Sequence, residues 1–208
     1  MPNWCDNGLN VIHKDPEMIT KLVNAWKEDR FFKTIYPEPD YKTTPVPLTY
    51  PEISAQFAKS EEEKAKLLAN EPTIREDSWW DWRVQNWGTK WEVNTENFEE
   101  PQMADDGLSF FVYFDTAWSP PIGIYQKLVE QGYEVDANYV GEGCEYAGIF
   151  NNEDGDLCVG VDYPEGLEGI ELNKWIKANI PQKILNSVDL LSHLDCEDWQ
   201  LEEADQKA

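Results

Sequence analysis

The sequence predicts an α+β fold: a ferredoxin-like split βαβ antiparallel sheet with a helical insertion and an extra C-terminal hairpin and helices. Three observations point to it. Segments with strand-like alternation, 4–12, 108–114 and 133–140, are separated by segments whose apolar residues recur at helical spacing. The resulting strand–helix–strand–strand–helix–strand order is interrupted after its first helix by an insertion of about 40–55 residues. A further pair of strand-like segments flanks Asp154-Gly155, a dipeptide suited to a tight hairpin turn.

Each element has a local reason. In 4–12, Leu9 and Val11 share one face. Asp15-Pro16-Glu17 opens a helix, with Asp15 as its cap and proline in the first turn. Met18, Ile19, Leu22, Val23 and Trp26 give that helix an apolar stripe. Residues 31–50 carry Pro37, Pro39, Pro45 and Pro47, a density that predicts an extended connection. Residues 51–69 read as helix, with a capping box at Ser60–Glu63. Asp77 is the expected cap of a helix that places Trp80, Val84 and Trp87 on one face and ends at Gly88. The second strand is expected near Trp91–Asn94. In 108–114, Leu108, Phe110, Val112 and Phe114 line one face and Phe111 and Tyr113 the other, so both faces are expected to be covered. Ser119 is the expected cap of a helix carrying Ile122, Tyr125, Leu128 and Val129. Tyr133–Val140 alternates as a strand, and the hairpin pairs 146–150 with 157–163. Two short helices, 169–178 and 182–195, complete the pattern.

The whole reads as one domain over 1–196, with the helical insertion at about 37–90, followed by an acidic, flexible tail at 197–208. Ten tryptophans, nine tyrosines and eight phenylalanines supply a core. No apolar run suits a membrane span, and the N-terminus lacks a signal-peptide pattern, so a cytoplasmic location is expected. Seventeen basic residues face 41 acidic ones, a net charge of −24. Between Trp91 and Asn173 stand nineteen acidic residues and a single basic one, Lys127. Such a surface repels phosphate backbones, which excludes direct nucleic-acid binding, and it attracts basic protein surfaces.

Three tryptophan-bearing phrases stand out: Pro2-Asn3-Trp4-Cys5-Asp6-Asn7, Asn86-Trp87-Gly88-Thr89-Lys90-Trp91 and Thr116-Ala117-Trp118-Ser119-Pro120-Pro121, the last following a strand that ends in Phe114. In this order the chain resembles the YubB ferredoxin-like family of proteins carried by bacteriophages and conjugative plasmids, over residues 2–162. The resemblance implies a ferredoxin-like fold without an iron–sulfur cluster, and an origin in a mobile element. It implies no catalytic residues, and it leaves residues 163–208 and the excess negative charge uncovered.

No residue pattern predicts catalysis, a metal or a cofactor. Asn152, Asp154 and Asp156 imitate the opening of a calcium loop, but Leu157 stands where glycine is required and Glu165 is two residues out of place. A solvated hairpin tip is the simpler reading. Gly141-Glu142-Gly143 lacks the third glycine and the helix of a phosphate loop. Cys144 sits beside Glu142 and Glu145, which disfavour a thiolate. The leading expectation is a non-enzymatic mobile-element protein, acting in the host cell on the basic surface of a host enzyme or defence complex. There it would serve as a nucleic-acid mimic or inhibitor. Its contact residues would be Glu134, Asp136, Glu142, Glu145, Glu153, Asp154 and Asp156, with Asp195, Glu197 and Asp198 from the tail. One alternative is a small-ligand protein or enzyme with a pocket between sheet and insertion at Trp87, Lys90, Trp91 and Trp118. The other is an acidic structural protein whose charge serves solubility. For the tryptophans, core packing and an interface are both open readings.

Overall fold

Strand β1 (Trp4–Ile12) lies near the middle of a six-stranded antiparallel sheet. The structure, a computed structural model, describes residues 3–41, 46–47, 60–69, 74–75, 79–164, 166–188 and 190. In chain order β1 is followed by helix α1 (Pro16–Lys27), the short helix α2 (Phe31–Ile35), β2 (Val46–Pro47), α3 (Glu61–Leu68), β3 (Ile74–Arg75) and α4 (Trp79–Asn86). Then come β4 (Gln102–Met103), β5 (Ser109–Ala117), α5 (Ile122–Glu130), β6 (Glu134–Gly141), β7 (Tyr146–Asn151), β8 (Gly155–Gly160), α6 (Gly169–Asn179) and α7 (Gln182–Leu185). The sheet order is β4-β5-β1-β6-β7-β8, while β2 and β3 pair separately. The protein is thus α+β. Among the described residues, no helix is long and apolar enough to cross a membrane.

Alternation along the strands assigns the two faces. On the inner face Leu9 and Val11 of β1 meet Phe110, Val112 and Phe114 of β5 and Val135 and Ala137 of β6, under α1, α2 and α5. Asp15 caps α1 as expected, its Oδ1 accepting the Glu17 N–H at 3.0 Å, and Ser60 Oγ accepts the Glu63 N–H at 3.2 Å. A second core lies on the opposite face but at the other side of the sheet. There α6 and α7 supply Leu172, Ile176 and Ile184 against Val140, Ala147 and Ile149.

Several local expectations are corrected. Residues 31–35 are helical, because Phe31, Phe32 and Ile35 can all be buried only on a helical turn packed against α1 and β5. Residues 91–94 form no strand. Glu92 there accepts the backbone N–H groups of Phe32 and Lys33 at 2.7 and 3.0 Å, so this segment caps α2, and the strand beside β5 forms later as β4. Ser119 does not cap α5. Its hydroxyl instead donates to the Gly88 carbonyl, and Pro121 precedes the helix. In α4, Trp80 and Val84 are exposed and Asp81 is the buried residue, because the helix turns Trp82 toward Tyr36 and Arg83 toward Glu38. Most important, the outer face of β5 is open. Tyr113 is 65% exposed, because α6 and α7 cover only the β6–β8 side. The expected cap Asp77, residues 51–59 of the insertion, Glu165 and the tail lie outside the described residues.

Candidate functional site

The three tryptophan-bearing phrases converge at one end of the sheet. Trp118 donates its N–H to the Asn3 carbonyl at 2.9 Å, and Asn7 Nδ2 donates to Thr116 Oγ1 at 3.0 Å. Thr89 Oγ1 donates to the Ala117 carbonyl at 3.1 Å, and the Gly123 N–H donates to the Trp87 carbonyl at 3.1 Å. Behind this junction, Tyr125 donates to Asn7 Oδ1 at 3.0 Å, so the buried amide has every polar atom engaged. Trp118 itself has φ of +70°, a left-handed conformation that bulky residues rarely adopt. Its two backbone bonds, to Asn3 and to the Tyr146 hydroxyl at 2.9 Å, hold it there. Strain of this kind persists only where the surroundings over-determine it.

The junction turns three tryptophans outward. Trp4, Trp91 and Trp118 are 41%, 36% and 46% exposed, whereas Trp87 in the same phrases is fully buried. Trp87 donates Nε1–H to the Tyr36 carbonyl and packs edge-on to Phe32 and Trp82, so it belongs to the core and not to an open pocket. The Lys90 ammonium lies 4.5 Å from the Trp91 ring centroid and 4.9 Å from that of Trp118, a cation held by two aromatic faces. Beside it, Trp4 and Trp91 stand 6.0 Å apart at 45° and form one wall of a cleft of about 620 Å³. Glu92, Asn94, Asn97, Phe98, Asp115, Thr116 and Ala117 complete the cleft.

The charge in the cleft has one focus. Glu92 is committed to the N-terminus of α2, and although burial raises its pKa, those backbone N–H groups act to lower it. Glu142 accepts the Trp4 N–H at 2.9 Å. Asp115 is directly opposite Asp6 across the β1–β5 ladder. Like charges so placed repel. Burial first, then the charge of Asp6 and a hydrogen bond to it, push the Asp115 carboxyl up to about 6. Because this lies above the ordinary 3.8, the folded protein binds the proton more tightly than the unfolded chain. Stability therefore falls as pH rises from about 4 to about 6 and stays lower above that. Asp115→Asn is expected to stabilise the fold by about 1 kcal/mol at pH 7.5, a value reduced for solvent screening, and by close to zero at pH 4. Urea denaturation at both pH values measures this; an equal effect at the two would contradict it.

The anticipated acidic residues are divided by the fold. Glu134, Asp136 and Glu153 meet around a shallow cleft of about 400 Å³ at the far end of the open face, with Asn10 and Ile12. Asp154 is paired to Lys183 at 2.8 Å, which holds its carboxyl below the usual range. Asp156 lies on the opposite face, accepting the Tyr139 hydroxyl at 2.5 Å. Glu142 joins the tryptophan end, and Glu145 is exposed next to the 142–144 turn. Asp195, Glu197 and Asp198 lie outside the described residues. Sequence reasoning missed Trp4, Asp6, Phe111, Tyr113 and Asp115 as site residues. The available signal was the two-residue alternation of Trp4-x-Asp6 and Phe111-x-Tyr113-x-Asp115 opposite the core positions.

No protein-family model matches the chain, and no curated protein matches it. Among solved structures, the chain is similar to the crystal structure of protein api92 from Yersinia pseudotuberculosis, described under the family model DUF1281. The similarity spans 79% of this chain and 99% of that one, with 10% identity and a TM-score of 0.37, too low for any argument to rest on it.

Proposed function

We propose that this chain is a non-enzymatic binding protein that holds a basic protein surface against the open half of its sheet. The carrying observation is the composition of that face. Trp4, Asp6, Gly8, Asn10 and Ile12 of β1, Phe111, Tyr113 and Asp115 of β5, and Glu134, Asp136 and Asn138 of β6 share it, and none of them is basic. Phe111 and Tyr113 pack edge to face at 4.5 Å, and Gly8 lets Tyr113 and Asn138 approach across the strand between them. Aromatic anchors in the centre with carboxylates at both ends match a partner rich in arginine and lysine. A single-strand nucleic-acid platform would pair the same aromatics with a cationic groove.

The associated fold reading is ferredoxin-like. The antiparallel order β4-β5-β1-β6, with β1 between the two strands joined through α5, supports it. The biological reading is a mobile-element protein acting in the host cytoplasm on a nucleic-acid-handling enzyme or defence complex. Nucleic-acid mimicry is its finer form: Glu134 and Asp136 stand about 6.7 Å apart along β6, close to the per-strand phosphate spacing.

Full-length protein titrated with oligo-arginine and oligo-lysine peptides at about 150 mM salt tests the proposal. The variant Asp6→Asn/Asp115→Asn/Glu134→Gln/Asp136→Asn is expected to bind at least about tenfold more weakly. Glu61→Gln/Glu62→Gln/Glu63→Gln/Asp105→Asn, with the same change in net charge, is expected to bind like wild type. Equal losses in both variants would reduce the effect to overall charge and defeat the proposal. A gel shift of bare DNA or RNA by the wild-type protein would defeat it as well.

A further inference from the structure

We infer that the cleft beside Trp4 and Trp91 is a receptor for a single guanidinium group, an arginine side chain of the partner, with Asp115 as its counter-charge and Asp6 opposite it on β1. The inference deepens the proposed binding of a basic surface by naming the residue that seats in it.

The geometry carries it in three steps. The 6.0 Å separation and 45° tilt of Trp4 and Trp91 leave no slot between the rings, so a planar guest stacks on the face of one ring. The cleft, about 620 Å³, exceeds what one side chain needs, and Trp4 and Asp115 in its lining belong to the open sheet face. Asp115 lines it and faces a second carboxylate, Asp6, across the β1–β5 ladder. The opposed carboxylates concentrate negative charge beside the cleft, and a bound cation offsets part of their mutual repulsion.

Guanidinium fits better than ammonium for stated reasons. It is flat, weakly hydrated and able to stack on indole while donating two parallel hydrogen bonds. Asn94 and Asn97, whose amides carry carbonyl acceptors, and Phe98 also line the cleft. The chain already places one cation of its own, Lys90, against Trp91, so this ring is in use for cation contact within the fold itself.

The test uses the full chain and a monomeric probe, N-acetyl-arginine methylamide, with the lysine counterpart beside it. The readout is the indole N–H signals of Trp4 and Trp91 in nitrogen-15 NMR, assigned with Trp4→Phe and Trp91→Phe. The arginine probe is expected to shift both signals saturably with a dissociation constant on the order of 1–10 mM, in line with the efficiency of a ligand this small. The lysine probe is expected to bind at least about threefold more weakly, and Asp115→Asn to weaken the arginine probe at least about fivefold. Glu62→Gln, whose carboxylate pairs with Lys66 on α3 outside this face, should leave the constant unchanged. Asp115→Asn is itself expected to stabilise the fold, so lost binding in that variant would not reflect unfolding. Absence of saturable shifts up to about 50 mM, equal binding of the two probes, or undiminished binding by Asp115→Asn would each overturn the inference. Oligo-arginine binding that still depends on the open face would in that case leave the broader proposal standing. Saturable arginine binding without face-dependent peptide binding would sink the proposal and leave the cleft.

Discussion

Replacing Trp87 with alanine is expected to lower the unfolding free energy by about 4 kcal/mol, the range for emptying a large aromatic from a closed core. The side chain is fully buried. It packs edge-on to Phe32 at 5.7 Å and Trp82 at 5.9 Å, and the Arg83 guanidinium lies 4.7 Å from its ring. Its Nε1–H also satisfies the Tyr36 carbonyl at 2.8 Å, so truncation leaves a polar group without its partner as well as a cavity. The melting temperature should fall by roughly 8–16 °C for a domain of this size. Trp91→Ala, four residues on, should change stability by less than about 1 kcal/mol, because that side chain is already one-third exposed. Parallel urea curves for the two variants decide the point. A milder effect at position 87 than at 91 would mean that the division between core and surface tryptophans is wrong.

Gly123→Ala is expected to destabilise by about 3 kcal/mol, although alanine normally favours a helix over glycine by about 1 kcal/mol. The sign reverses because a β-carbon there would stand 1.8 Å from the Asn86 carbonyl oxygen and 2.7 Å from its carbon. Both are backbone atoms and cannot rotate away. The first turn of α5 would have to move off the end of α4, breaking the Gly123 N–H to Trp87 carbonyl bond that ties this helix to the middle tryptophan-bearing phrase. Gly160→Ala is the matched control, since nothing lies within 4 Å of a β-carbon there, and it should be neutral or slightly stabilising. A neutral outcome at Gly123 would show that this junction is looser than its geometry implies.

Both substitutions address why the tryptophan end of the sheet holds its shape. Residues far apart in sequence are fastened by backbone acceptors and small residues, while the exposed rings contribute little to the fastening. That separation permits this end of the sheet to carry opposed carboxylates and a strained Trp118 at small cost to the remainder of the fold.

The sequence alone determined whatever depends on neighbours along the chain. Alternation placed Leu9 and Val11 together, helical spacing placed Ile19, Leu22, Val23 and Trp26 on one stripe, and Asp15 and Ser60 declared themselves as caps, because these features are decided within a few residues. Composition likewise exposed the acidic surplus. Only the tertiary structure decided which sheet face would stay open, since that rests on where α6 and α7 settle. It alone brought Asp6 opposite Asp115, a register spanning 109 residues. It alone divided the tryptophans of the three phrases into one buried anchor, Trp87, and three outward rings. Local chemistry sets the direction a side chain points; what it meets there depends on the long-range packing of segments that no short window of sequence contains.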